Sequence, residues 1–545
     1  MNLSKRNQTL IIITSLIFVL IISRMLLYDK FFNLISGDNA IWGIMSVDIL
    51  QGKTFPIFFY GAHRTGSLET FFTAIFFALG GISTYVYHLS RIIIFAPFVL
   101  VVYFTVLTVT NDKKLSFITS LWAIFPSYYF VFTTAICAGY LFFLISSSLI
   151  FLTSLPLQAK KIDDKKTLYL CLFLCGFISG FAFWLHQLSL SFILVINLVL
   201  LIKIKREYPF KIFTYSLFIV FVSFVLGSLP SIIHNIKHEF HNIKIMFGFL
   251  FDISGRDEYT RLGLLSVIKK SLILKTSGYG AGLFPRLSIM ASLIFGVQRD
   301  LIGGYSLMNF LIIVIWGILL LLSFYRLFSG KVESNVKKQI YILLAVSVIV
   351  FISGLKQDRY LLPFYFIIPV LISLTLKNLS KKILFPLIIF LITLNIFSIK
   401  KMFTKELEDF IPENNYIVSF LQENQLTRGY AEHNVAYPII FLSQKKIIMS
   451  TLGGPFLEGP SFYNLIPRFN KEVERSPDIF YIYSITNLLD KTLRDYLQRT
   501  GITYQVQQIG KFNIYFNFTR KFLPVEFLPE HYKTEYLAAT NRRAY

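Results

Sequence analysis

The sequence predicts an α-helical, polytopic membrane protein ending in a small α/β domain. Composition is the first reason: 55% of its 545 residues are hydrophobic, 58 are Phe, and only 15% are charged, against about 25% charged residues in a soluble domain. The second is that apolar runs near the ~20 residues needed to cross a bilayer recur as far as residue 400. The third is a change of texture near residue 402, where apolar runs shorten, charge rises and strand-like stretches appear. The formal net charge of +23 does not point to nucleic acid. Lys and Arg lie largely in short connectors between spans, the positive-inside pattern, with anionic lipid headgroups as further partners.

The first span runs from Thr9 to about Leu27. Lys5 and Arg6 hold the N-terminus in the cytoplasm, and with no small-x-small cleavage site after it the segment reads as a retained signal anchor. Further spans are expected at about 91–110, 116–133, 138–155, 168–183, 187–202, 212–229, 305–325, 339–355, 361–377 and 383–400. This gives about 11 crossings (range 11–13), with the N-terminus cytoplasmic and the C-terminus external. The basic connectors at 111–114, 159–166 and 203–206 are two spans apart and share the cytoplasmic side. Residues 68–81 then have both ends outside and are re-entrant or lie along the interface; the alternative is a crossing that leaves several basic connectors outside. The expected domains are a transmembrane module over 1–400, with external loops 28–90 and 230–300, and an external soluble domain over 401–545. In the latter, 438–442, 446–450, 478–483 and 504–516 read as strands and 488–498 as a helix.

The chemistry-bearing residues collect outside the spans. Asp38 follows the first span closely and precedes an amphipathic segment (Ile41, Trp42, Ile44, Met45, Ile49, Leu50) of interfacial character. A carboxylate so held is suited to deprotonating a hydroxyl opposite a lipid-borne donor. Asp48, near the end of that segment, reads as part of a solvated face. His63 and Arg64 could neutralise a departing phosphate, and Arg359, in Lys356-Gln-Asp-Arg-Tyr360, is a further anion candidate. Asn39, Tyr60, Glu69, His186 and Tyr360 are pocket candidates, although Glu69 also suits a helix N-terminus and His186 beside Trp184 an ordinary interface. His234, His238 and His241 share a helix face but lack an acid at a companion ligand position, and Cys171 and Cys175 lie one turn apart inside a span. No ligand cluster supports a divalent metal, and no cofactor is expected with certainty.

The run from Gly37 to Glu69 resembles the first external loop of the GT-C superfamily, bacterial integral-membrane glycosyltransferases related to protein O-mannosyltransferases and the lipid A aminoarabinose transferase. Phe125-Pro-Ser, Trp184-Leu-His-Gln-Leu-Ser-Leu, Gly227-Ser-Leu-Pro, Asp358-Arg-Tyr-Leu-Leu-Pro and Gly429-Tyr-Ala-Glu-His-Asn-Val-Ala-Tyr are similar to later blocks. The resemblance spans residues 10–480. It implies a GT-C-like fold in the bacterial inner membrane and transfer of a sugar from a polyprenyl-phosphate donor to a lipid, glycan or protein acceptor in a cell-envelope glycan. It further implies catalysis at the external face with inversion, and Asp38 as general base or acceptor-orienting acid. Many relatives carry Asp-Glu where this chain has Asp38-Asn39, and Asn brings no charge. The alternative is a non-catalytic GT-C-fold protein or a lipid-linked saccharide transporter in surface polymer assembly.

Overall fold

The computed structural model describes residues 3–27, 32–136, 139–159, 161–238, 361–377, 381–405, 410–452 and 466–530, with scattered residues between 240 and 347 and after 530. Two compact units emerge. One comprises residues 1–27, 64–66 and 91–404; the other comprises 28–63, 67–90 and 405–545. The second unit thus combines the C-terminal residues with most of the first loop, which the sequence reading placed in the transmembrane module.

In chain order the helices begin with α1 (Leu3–Leu27), α2 (Gly37–Leu50) and α3 (Leu68–Gly80), with a short hairpin, β1 (Phe58–Phe59) and β2 (Ala62–Gly66), between the last two. Then come α4 (Thr84–Thr110), α5 (Lys113–Ile124), α6 (Tyr128–Ile136), α7 (Leu141–Ala159), α8 (Lys165–Leu185), α9 (Leu190–Glu207), α10 (Phe210–Gly227) and α11 (Leu229–Lys237). After the undescribed stretch follow α12 (Pro363–Leu376) and α13 (Lys381–Lys405). Among the described residues six helices are long and apolar enough to cross a membrane, or seven if α5 and α6 count as one bent span. The chain is an integral membrane protein. The spans expected at 305–325 and 339–355 lie largely outside the described residues.

Among the described residues three expected spans differ: those at 361–377 and 383–400 hold only the shorter apolar helical stretches Pro363–Leu374 and Pro386–Phe397, and the third is bent. Residues 116–133 are not a straight helix: α5 and α6 meet at 68°, broken at Phe125-Pro126-Ser127. Pro126 has no N–H to continue the ladder, and carbonyls at the break need other donors. Tyr365 Oη on α12 donates to the Ala123 carbonyl at 2.7 Å and Asn395 Nδ2 on α13 to the Phe125 carbonyl at 2.8 Å. The Tyr365 ring also lies 4.5 Å from Phe130 and 4.9 Å from Phe98 between centroids, so the side chain that satisfies the Ala123 carbonyl also fills the core around the break. Elsewhere in this unit α8 and α10 approach closely. A Cβ on Gly180 would sit 2.0 Å from the Phe224 carbonyl oxygen, the small-residue packing that lets membrane helices touch backbone to backbone.

The second unit is built on a five-stranded sheet. β3 (Arg428–Ala431), β4 (Ile448–Thr451), β5 (Phe480–Ser484), β6 (Gln505–Ile509) and β7 (Phe512–Phe516) lie in the order β4-β3-β5-β7-β6. β3 runs parallel to both β4 and β5; β7 runs antiparallel to β5 and β6. Helices α14 (Asn414–Glu423), α15 (His433–Leu442), α16 (Pro467–Arg475) and α17 (Leu488–Thr500) flank or connect the strands. The stretch at 504–516, read as one strand, is a hairpin that turns at Gly510 with φ +55°. The strand expected at 438–442 is the end of α15. Val435 through Phe441 are all buried, and an apolar run covered on every side has no periodicity to separate helix from strand.

α3 occupies the doubtful stretch after the first loop. Its 13 residues span about 20 Å, short of the ~30 Å hydrocarbon core. Phe77 packs 6.0 Å from Phe441, while Phe72, Ile75 and Leu79 are exposed on the other side.

Candidate functional site

The site is built on α2. Gly37 and Gly43 lower its intrinsic helix propensity, so burial must hold it. Gly37 and every residue from Asn39 to Asp48 are buried. Asp38 alone in that run is exposed, its side chain 69% open to solvent. The amphipathic, interfacial segment expected here is therefore a helix covered on nearly all sides. Alternation of Gly, Ser and Asn with large apolar residues reads as two faces, yet α3 and α15 pack against it and leave few positions outside.

Asp38 lies in the first turn of α2, where the helix dipole favours a carboxylate. Its Oδ1 is 3.2 Å from Nε2 of His433, whose side chain is 1% exposed. A carboxylate only accepts, so Nε2 carries the donated proton. The next residue, Asn434, accepts the Gly37 N–H on Oδ1 at 3.2 Å. This approach requires glycine: a Cβ at residue 37 would stand 2.4 Å from His433 Cδ2 and 2.7 Å from Asn434 Oδ1. The His433 ring is braced edge-on by Tyr437 at 5.0 Å.

The far end of α2 is also held. Asp48 is fully buried and pairs with Lys445 and Arg468, whose side chains are 11% and 35% exposed. Tyr60 Oη donates to Asp48 Oδ2 at 2.9 Å and lies 2.6 Å from Thr54 Oγ1. The Arg468 guanidinium lies 5.5 Å from the Tyr60 ring centroid. Burial pushes Asp48 up, but the Lys445 hydrogen bond and the charges of Arg468 and Lys445 outweigh it and hold the carboxyl below its ordinary value. At the two cations the balance falls differently. Burial draws Lys445 down despite Asp48, whereas Asp48 and Tyr60 raise Arg468 against burial. Burial also pushes the Tyr60 hydroxyl up to about 12. Asp48 is thus the anion of a buried ionic cluster, not part of a solvated face. Its counter-ions come from residues 445 and 468, and sequence spacing carries no sign of them.

The other expected site residues fall as follows. Asn39 is buried in α2, and Glu69 is buried in the first turn of α3. Tyr60 belongs to the Asp48 cluster. His186 ends α8 through its backbone N–H, which donates to the Ala182 carbonyl, and its Nδ1 accepts the Leu188 N–H at 3.1 Å to cap the short 3-10 turn Gln187–Ser189; its ring lies 5.2 Å from Tyr140, and its backbone bridges Thr65. The backbone of His63 and Arg64 lies in β2; their side chains, and all of Arg359 and Tyr360, fall outside what is described. The His234 and His238 rings lie 4.3 Å apart between centroids, tilted at 39°, while His241 is outside the described residues. Among the described residues no group of three or more His, Cys, Asp or Glu side chains could hold a metal ion. His433, Lys445 and Arg468 were not singled out as site residues, although His433 lies inside the quoted Gly429–Tyr437 block.

No protein-family model and no curated protein matches this sequence. Solved structures do match in fold. The ArnT of Cupriavidus metallidurans bound to undecaprenyl phosphate aligns with a TM-score of 0.59 at 11% identity, covering 96% of this chain and 99% of that one. The apo state of the same protein aligns at 0.46, also with 11% identity, over 97% and 100%. ArnT is the lipid A aminoarabinose transferase. On the alignment to its undecaprenyl phosphate complex, the chain described here has the GT-C fold, in which a helical membrane unit is joined to a small C-terminal sheet unit.

Proposed function

We propose that this protein is a glycosyltransferase that moves a sugar from a polyprenyl-phosphate donor to a hydroxyl-bearing acceptor at the external face of the bacterial inner membrane. The observation that carries the reading is Asp38: it is the exposed carboxylate of an otherwise buried helix, fixed by a buried imidazole, within a GT-C fold. An exposed acid on a flexible loop would carry no such weight. The donor class is supported by the undecaprenyl phosphate bound to the ArnT of similar fold. The inverting outcome and the external location rest on the sequence resemblance.

In this reading the Asp38 carboxylate takes the proton of the acceptor hydroxyl as its oxygen attacks the anomeric carbon. The new C–O bond forms opposite the old one. The electron pair of the broken bond leaves with the polyprenyl phosphate, whose charge a cation from the set His63, Arg64 and Arg359 neutralises. Asn39 brings no second carboxylate beside Asp38. The acceptor is a lipid, glycan or protein.

The test uses the full chain in membrane vesicles with undecaprenyl-phosphate-linked glucose, mannose and aminoarabinose. Wild type is expected to consume at least one donor, and Asp38→Asn to lose ~100-fold or more in kcat, the scale of general-base catalysis. Full consumption by Asp38→Asn would remove the base from this scheme; no consumption of any donor by wild type would count against the donor class.

A further inference from the structure

The C-terminal sheet has a feature that the proposed chemistry does not yet use. β3 leads through α15 to β4 on one side of it, and the chain then returns through α16 to β5 on the other side. Strand order therefore reverses at β3. In open parallel sheets the crevice at the carboxyl ends of the strands on either side of such a reversal is where functional groups are placed. Here the crevice lies beyond Ala431 and Ser484. Glu432 closes it, its Oε1 accepting the Ser484 N–H at 3.2 Å and the Asn487 side-chain N–H at 2.6 Å. His433 is the next residue.

The result is an imidazole with little freedom. Its backbone follows a central strand, Glu432 ties that backbone to the end of β5, and Gly37 and Tyr437 pack on the ring. The Asn434 carbonyl is held in turn by Asn414 Nδ2 at 3.2 Å. Among the described residues the buried Nδ1 of His433 has no hydrogen-bond partner. A ring kept only for packing could be any flat apolar side chain, without the cost of a buried polar atom left unpaired. A ring kept to aim an N–H at a carboxylate needs the nitrogen that His supplies and Phe lacks. Asp38 is 69% exposed, and Nε2–H gives its Oδ1 a donor fixed by the fold. A solvated carboxylate samples several rotamers, whereas proton abstraction works only from a narrow range of positions.

We propose that His433 is a positioning residue of the transfer step. The C-terminal sheet delivers its Nε2–H to Oδ1 of Asp38, and so holds the carboxylate in the one orientation that meets the acceptor hydroxyl. The assignment rests on Asp38 being the base, and it makes the C-terminal domain part of the active site.

The test compares wild type, His433→Phe and His433→Gln, each as the full chain in membrane vesicles. Phe keeps the ring's bulk and loses the donor; Gln places an amide N–H where Nε2 stood. One arm follows consumption of the undecaprenyl-phosphate sugars named above. His433→Phe is expected to lower kcat by ~10–100-fold with KM little changed, and His433→Gln to recover most of the loss. The second arm needs no sugar. A water-soluble carbodiimide with an amine labels carboxyl groups, and mass spectrometry reads the rate at Asp38. Labelling should be ~3–10-fold faster in His433→Phe than in wild type, the scale of one lost hydrogen bond, and close to wild type in His433→Gln. Unchanged labelling in His433→Phe, or a kcat loss that Gln restores no better than Phe, overturns the proposal. An inactive Asp38→Asn beside a fully active His433→Phe rejects His433 and leaves the base standing. A fully active Asp38→Asn rejects the base itself. Where no donor is consumed, the labelling result decides for His433 alone.

Discussion

Replacing Asp48 by Asn should destabilise the second unit by more than any surface change could. The carboxylate is fully buried, and Lys445 is 11% exposed. Asn keeps the shape and some hydrogen bonding but leaves the ammonium without its anion. Removing one partner of a buried ion pair costs roughly 3–5 kcal/mol. Arg468 is about a third open to water and regains hydration, so the low end applies, about 3 kcal/mol. At ~2–4 °C per kcal/mol for a unit of this size, the melting transition should fall by ~6–12 °C. Tryptophan fluorescence of the full chain in detergent reads it, because Trp42 sits on α2, stacked 5.1 Å from Phe59. The pH dependence has a definite sign. The folded carboxyl is held below its ordinary 3.8, so its contribution is present above that value and disappears as the pH falls through the lower, folded one. The gap between wild type and Asp48→Asn should therefore be constant near neutrality and close only in acid below 3.8. Adding Lys445→Met, which keeps the aliphatic stem and removes the stranded charge, should restore part of the loss. A melt indistinguishable from wild type would refute the buried-cluster reasoning, as would a gap that widens on acidification or a double variant no better than the single.

Two further predictions follow from the same helix and from the connectors. Gly37→Ala raises helix propensity by about 0.5–1 kcal/mol, but its Cβ would meet His433 at 2.4 Å. Overpacking of this kind costs about 1–3 kcal/mol, so the variant should melt lower than wild type and lose activity; a higher melting point would mean that propensity outweighs the close approach. For orientation, Lys113→Cys in a cysteine-free chain should resist an impermeant maleimide applied from outside, and ready labelling would reverse the topology. Lys113 is chosen over Asp112 because Asp112 caps α5 through the Lys114 and Leu115 N–H groups, and losing a cap costs about 1 kcal/mol.

Much of the fold was legible along the chain because its cause is local. A run of apolar residues has to satisfy its own backbone in lipid, so the helices through Gly227 could be placed to within several residues. Where the reading failed, the deciding partner was distant in sequence. The break after Ile124 needed Tyr365 and Asn395 to complete it. The run at 438–442 is helical, and burial of Pro438 through Phe441 leaves no periodicity that would tell it from a strand. Asp48 turned from a solvated acid into a buried anion because residues 445 and 468 fold onto it.

The site divides in the same way. The sequence by itself determined a membrane protein whose texture changes near residue 402 and an acid, Asp38, soon after the first span; composition and span length suffice for that. Only the tertiary structure decided that α2 is buried, that Asp38 is its exposed carboxylate, and that His433, 395 residues further on, is its partner. The physical reason is that a hydrogen bond depends on positions in space. A strand reversal in the C-terminal sheet brings that imidazole to the carboxylate, and nothing in the spacing of residues 38 and 433 records it.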